Sequence, residues 1–183
     1  KKNILRNLFD RNVNVIVLPQ NSSFDEIMGH KPSGIFLSNG PGDPGATKPE
    51  TLLLLEKLIE QKLPIFGICI GHQLLAITLG AKTIKMKQGH RGANHPIKNL
   101  ESKEVEITSQ NHGFVVSKDD LPDDLKITHI SLFDKSIEGL EHKFLPIFSV
   151  QFHPESSPGP TDTSYLFDKF FDLILRFNNA KKN

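Results

Sequence analysis

The one cysteine in the chain, Cys69, stands in Phe66-Gly67-Ile68-Cys69-Ile70-Gly71-His72-Gln73. Glycines flank it two residues on either side, an apolar run precedes it and a helical pattern follows. This spacing matches a nucleophile elbow, a tight strand-to-helix turn whose central side chain projects above the sheet edge. A thiol there meets the positive end of the following helix, which favours the nucleophilic thiolate. The backbone N–H of Ile70 is then aimed at the charge that develops on an attacked carbonyl oxygen. A free cysteine is more often an inert core residue, so the flanking glycines carry the catalytic reading.

A cysteine nucleophile needs a base, and the base needs a group to orient it. Eight histidines compete for the first role. His153 is best placed, in Val150-Gln151-Phe152-His153-Pro154-Glu155, just beyond an apolar run. Glu155, two residues on, can accept the second imidazole N–H and fix the tautomer. His72 lies in the helix after the nucleophile, where packing or capping is expected. His112, in Gln110-Asn111-His112-Gly113-Phe114, reads as part of a polar loop that could line a pocket. His90 and His95 have no carboxylate or thiol at ligand spacing, so no metal site is expected. His30, His129 and His142 read as ordinary surface or edge histidines.

Ser38-Asn39-Gly40-Pro41-Gly42-Asp43-Pro44 also follows an apolar run. It lacks the Gly-Lys-Ser/Thr ending of a phosphate-binding loop. Beside the cysteine elbow, its glycines suit a backbone donor to an oxyanion, whose loss typically costs about 10²–10³ in rate.

These residues need a frame that brings sheet edges together. Val13–Leu18, Gly34–Ser38 and Pro64–Ile68 read as strands, and Ile147–Phe152 as another. Ile4–Asp10, Phe24–Met28, Thr51–Gln61, Gly71–Leu79 and Tyr165–Phe177 read as helices. The alternation predicts an α/β fold: a three-layer sandwich with a central, mostly parallel mixed sheet. Short strands at Thr83–Met86, Val105–Ser109, Phe114–Val116, Lys126–Ile130 and Ile137–Glu141 predict a smaller antiparallel addition.

The 183 residues suit one domain spanning 1–183, and 37% hydrophobic with 23% charged residues is an ordinary globular balance. A net charge of +1 gives no general attraction to nucleic acid or membrane, and no partner of either kind is expected. The lysine pairs Lys1-Lys2 and Lys181-Lys182 read as solvated ends. One cysteine precludes an intrachain disulfide and suits a reducing compartment. With no run approaching the roughly 20 apolar residues of a membrane span and no signal-peptide pattern, a cytoplasmic location is expected.

Taken together, the Ser-Asn-Gly-Pro-Gly-Asp-Pro loop, Gly-Ile-Cys-Ile-Gly-His-Gln and the late His-Pro-Glu closely resemble the class I (triad) glutamine amidotransferases over essentially the whole chain. Within that family, segments 89–96, 109–114 and 157–162 resemble the small-subunit branch of carbamoyl-phosphate synthase. Lys2-Asn3-Ile4-Leu5-Arg6 resembles the entry to the amidotransferase domain in that branch, so an amino-terminal domain of the parent protein is expected to be missing. The resemblance implies Cys69 as nucleophile, His153 as base and Glu155 as its orienter. Backbone N–H groups of Gly40–Gly42 and Ile70 would form the oxyanion hole. Gln73, with backbone groups of Asn111, Gly113 and Phe114, would hold the amino and carboxylate ends of L-glutamine. Family members commonly carry Leu where Ile70 stands, a change that a backbone donor tolerates.

The ammonia would pass to a carbamoyl-phosphate synthase large (synthetase) subunit for the arginine and pyrimidine pathways. ATP and magnesium are expected only on that partner, with no cofactor in this chain. The rivals are an amidotransferase serving anthranilate, aminodeoxychorismate or GMP synthesis, and a non-catalytic regulatory domain of the same fold.

Overall fold

The computed structural model describes residues 1–119 and 121–180, so the Lys181-Lys182 pair lies outside the described residues. In chain order the helices are α1 (Lys2–Phe9), α2 (Phe24–Gly29), α3 (Pro49–Glu60), α4 (Ile70–Thr78) and α5 (Tyr165–Ala180). The strands are β1 (Ile35–Leu37), β2 (Ile65–Ile68), β3 (Thr83–Asn99), β4 (Val105–Val116), β5 (Leu125–Ser131), β6 (Ile137–His142) and β7 (Ile147–Val150).

All seven strands form one mixed sheet in the order β1-β2-β7-β6-β5-β3-β4. β1, β2 and β7 run parallel, and their short, largely apolar segments suit strands covered on both faces. The remaining pairings are antiparallel and continue the same sheet outward.

Period-two alternation along β2 builds the three layers. Phe66 and Ile68 face a cluster with Ile4 and Leu8 of α1 and Leu166, Phe167 and Phe170 of α5. Ile65 faces the opposite side, where Leu75 of α4 and Ile59 of α3 pack. Phe66 is fully buried and stacks on Phe148 at 4.3 Å between centroids, with Phe167 edge-on at 5.8 Å. Each such ring contributes about 1.5–3 kcal/mol by leaving water, and together they lock β2 and β7 side by side. The residues just after these two strands are Cys69 and the segment leading to His153.

Two expectations fail for a common reason, that pairing is a long-range property. Val13–Leu18 has no regular secondary structure and joins no ladder among the described residues. Val13 and Val15 pack against the core, whereas Ile16 and Val17 are 52% and 69% exposed. β-Branched residues favour extended backbone, but a strand also requires a neighbour to hydrogen-bond. Conversely, the polar stretch 110–114 lies in the middle of the 12-residue strand β4, where Gln110, Asn111 and His112 pair with Gly92, Arg91 and His90. β3 itself runs 17 residues, with register shifts between Lys85 and His90 and between Gly92 and His95. Bulges of this kind bend a strand and re-aim its side chains.

Candidate active site

Cys69 sits between the end of β2 and the start of α4 with φ 55° and ψ −105°, a strained backbone for a residue with a side chain. Its N–H donates to the Val150 carbonyl at 2.9 Å, which anchors the elbow to β7. The flanking glycines are required by close approach. A Cβ on Gly67 would lie 2.8 Å from the Gly71 backbone, and one on Gly71 would collide with the Leu37 carbonyl oxygen and lie 2.8 Å from the Leu37 Cβ. The predicted elbow is therefore present. Ile70 opens α4, so its N–H has no acceptor within the helix and stays available to a ligand.

The segment after the adjacent β7 carries the expected base, His153. Just past the strand, the N–H of His153 donates to the Ser109 carbonyl at 2.9 Å, tying the His-Pro-Glu segment to β4. The His153 Nδ1 lies 2.8 Å from Glu155 Oε1, and the imidazole also interacts electrostatically with Cys69. Burial by itself would lower the His153 pKa. The interactions with Cys69 and Glu155 outweigh it and lift the value to about 9. Burial pushes the Glu155 carboxyl up, but its bond to the imidazolium wins and leaves it below the usual range.

Lys1, read from sequence as a solvated end, has its Nζ 3.1 Å from Glu155 Oε1 and 3.0 Å from the Ser156 carbonyl. Asn3 donates to the Glu155 carbonyl. Nothing in the local sequence links the first residues to position 155; only the packing of α1 does.

The Gly40–Gly42 loop lies beside the elbow, since a Cβ on Gly40 would come 3.3 Å from Ile70 Cγ2. Gly42 has φ +120°, in the region that favours glycine. On the opposite wall, the Asn111 carbonyl stands 4.0 Å from Cys69 Sγ. Gln73, one helical turn after Cys69 and on the same face of α4, donates from Nε2 to the Phe114 carbonyl at 2.8 Å. Of the named candidates, Cys69, His153, Glu155, Gly40, Gly42, Ile70, Gln73, Asn111 and Phe114 thus surround one spot. Gly113 lies between Asn111 and Phe114 on β4. A cavity of about 1100 Å³ shares Gly42 and Ile70 with this spot but is lined by none of Cys69, Gln73 and His153. The candidate catalytic side chains therefore lie outside that cavity.

The other histidines divide by burial. His72 is fully buried against Ser149 Oγ at 2.8 Å, and desolvation pushes its pKa down to about 3, in keeping with a packing role. His129, expected at the surface or an edge, is buried and bonds Thr128 and Tyr165, with its pKa lowered by desolvation to about 4. His112 is buried rather than in a loop. It donates from Nδ1 to the Phe114 carbonyl at 2.9 Å, and desolvation lowers its pKa to about 4.

The fold also brings Glu138 to His90, a carboxylate that sequence spacing did not offer. Ligand atoms of His90, His112 and Glu138 lie within 4.8 Å of one another. They are engaged in a hydrogen-bond network: His90 Nδ1 is 3.0 Å from Gln110 Oε1 and 3.3 Å from Glu138 Oε1, and His90 Nε2 is 3.1 Å from Asp134.

A strained cysteine at an elbow, a histidine just past the neighbouring strand and a carboxylate behind it is a geometry suited to acyl transfer. The family model for class I glutamine amidotransferases matches residues 1–173. The chain belongs to the class I glutamine amidotransferases. Among similar proteins, the carbamoyl phosphate synthase small chain of Zymomonas mobilis is 58% identical over 176 residues, 96% of this chain and 47% of that protein. The small chain of Lactococcus lactis is 51% identical, over 97% of this chain and 49% of that one.

This amidotransferase chain therefore spans about half the length of the curated relatives it matches. Its fold is similar to a solved Thermoplasma acidophilum protein described as part of a GMP synthase, with TM-score 0.85 and 25% identity over 99% of this chain and 91% of that one. It also resembles a glutamine amidotransferase from Thermotoga maritima, with TM-score 0.68 and 19% identity over 98% of this chain and 78% of that one. No helix among the described residues of the amidotransferase is long and apolar enough to cross a membrane.

Proposed function

We propose that this chain is the glutamine-hydrolysing part of a carbamoyl-phosphate synthase small subunit, working in the cytoplasm. The observation that carries the reading is the His153 imidazole held between Cys69 and the buried Glu155. The relatives at 51–58% identity support carbamoyl phosphate as the destination of the ammonia.

The Cys69 thiolate attacks the side-chain amide carbon of L-glutamine. The carbonyl oxygen becomes an oxyanion facing the N–H groups of Ile70 and the Gly40–Gly42 loop. As the tetrahedral intermediate collapses, the C–N bond breaks and the imidazolium of His153 protonates the departing nitrogen, giving ammonia and a glutamyl thioester. Water then adds to the thioester carbonyl while His153 takes its proton. Collapse returns the thiolate and releases glutamate. One water is consumed and one ammonia produced, and the catalyst is restored. Glu155 keeps the imidazole in one tautomer throughout and stabilises its charged form. Gln73 and the backbone of Asn111, Gly113 and Phe114 hold the amino-acid end of the substrate.

The partner in this reading is the large synthetase subunit, on which ATP and magnesium act. This chain contributes no cofactor. Glutamine hydrolysis measured with and without a carbamoyl-phosphate synthase large subunit tests the assignment. Turnover that rises with that subunit and disappears in Cys69→Ser is expected. A Cys69→Ser protein hydrolysing glutamine at the parental rate would overturn the mechanism. Indifference to the large subunit would overturn the destination.

A further inference from the structure

Gln151 is fully buried at the end of β7, and neither the triad nor the oxyanion hole uses it. Its amide faces Gln73, whose Nε2 lies 2.9 Å from Gln151 Oε1 and 2.8 Å from the Phe114 carbonyl. A backbone carbonyl can only accept, so the Gln73 atom facing Phe114 must be the NH₂ nitrogen. The Gln151 atom facing that NH₂ must then be the oxygen. The Phe114 carbonyl is held from its other side by His112 Nδ1 at 2.9 Å, so this reference point does not drift.

Both hydrogens of the Gln73 amide are thereby used inside the protein. The Gln73 Oε1 has no hydrogen-bond partner among the described residues, and it is not among the buried atoms left without one. It remains the one polar atom of that side chain open to a ligand, and it is purely an acceptor. The arrangement has a cost. The Nε2 of Gln151 is buried with no partner, a penalty of about 1–3 kcal/mol for a group of this kind. A buried glutamine kept at that cost calls for an explanation beyond packing.

Resting on the glutaminase reading above, we propose that Gln151 is a positioning residue. It holds the Gln73 amide in the one orientation that presents Oε1 to the α-ammonium of the substrate, and so sets selectivity for an α-amino acid. Without an acceptor at position 151, only the Phe114 carbonyl holds the Gln73 amide, which can then turn about that single hydrogen bond and carry Oε1 away from the ammonium.

The test uses alkylation of Cys69 by 6-diazo-5-oxo-L-norleucine and by its analogue without the amino group, 6-diazo-5-oxohexanoate. In each case the diazo carbon is protonated, N₂ leaves and the C–S bond forms at that carbon. Wild type should favour the amino-acid probe. Gln151→Met should cut that preference by roughly tenfold, the scale of one hydrogen bond to a charged group, and leave the rate with the des-amino probe within about twofold. Gln151→Glu keeps an acceptor oxygen in either protonation state and should restore the preference.

An unchanged preference in Gln151→Met, or none regained in Gln151→Glu, overturns the proposal. Should Gln151→Met not fold, the two Gln73 side-chain amide protons of the wild type decide it by hydrogen exchange. Both should exchange slowly before and after labelling, and a proton that is protected only after labelling refutes the orientation. Wild-type Cys69 that reacts with iodoacetamide but with neither diazo probe would instead sink the glutaminase reading itself.

Discussion

The Nδ1 of His153 lies 2.8 Å from Glu155 Oε1, the same oxygen that Lys1 Nζ approaches at 3.1 Å. The carboxylate is held by both cations, so losing its charge acts first on the histidine. Interactions with Cys69 and Glu155 raise His153 to about 9, above its ordinary 6.5. Stability from this raised value is fully present below pH 6.5 and is lost as pH rises through about 9. Glu155→Gln should bring the His153 titration midpoint down, read by NMR of the ring, and lower glutamine turnover on the order of 10²-fold. A midpoint that stays near 9 in the variant would contradict the assigned role.

Burial gives the opposite sign at four other histidines, His95 among them. His72 is lowered to about 3, and His112 and His129 to about 4, each mainly by desolvation. The unfolded chain binds protons at these positions below pH 6.5 and the fold resists doing so. Stability therefore falls as the solution is acidified from 6.5 toward 4, by up to about 1.4 kcal/mol per pH unit for each histidine. Urea unfolding across that range should show the slope. His129→Gln, which removes one titrating group, should make that slope shallower.

Two glycines offer a matched pair of substitutions. At Gly71 a new methyl meets the Leu37 backbone, which has little room to yield, so Gly71→Ala should cost about 3 kcal/mol or more. At Gly113 nothing lies within 4 Å of the added Cβ, and Gly113→Ala should change stability by less than about 0.5 kcal/mol. Equal denaturation midpoints for the two variants would refute the tight elbow.

The positive φ of Cys69 stores strain that its side chain makes worse. Cys69→Gly should therefore raise unfolding stability by about 1 kcal/mol while abolishing alkylation by the diazo probe. A variant less stable than the parent would show that the thiol's contacts outweigh the backbone cost.

Much of this site was legible along the chain. Cys69 with Gly67 and Gly71, and His153 with Glu155, are each short patterns whose chemistry depends on neighbours one to four residues away. The roles proposed for them, a nucleophile elbow and a base with its orienter, rest on local backbone geometry. The parallel strands β1, β2 and β7 were also legible, because a strand buried on both faces writes a nearly uninterrupted apolar run. The segment 110–114 was not legible as strand. Its polar side chains serve the site and the His90 network, and its strand character comes from pairing with residues about twenty positions earlier.

What the sequence by itself determined is the type of chemistry: a thiol, an imidazole, a carboxylate and glycine-rich loops, placed where strand ends meet at one edge. Tertiary structure alone decided which groups hold these in register. Lys1 reaches Glu155 across 154 positions, Glu138 joins His90, and Gln151 fixes the amide of Gln73 from the neighbouring strand. Such contacts depend on how helices and strands pack, and burial then sets their strength. The direction in which a buried amide points, or a histidine titrates, is a property of its surroundings and not of its place in the chain.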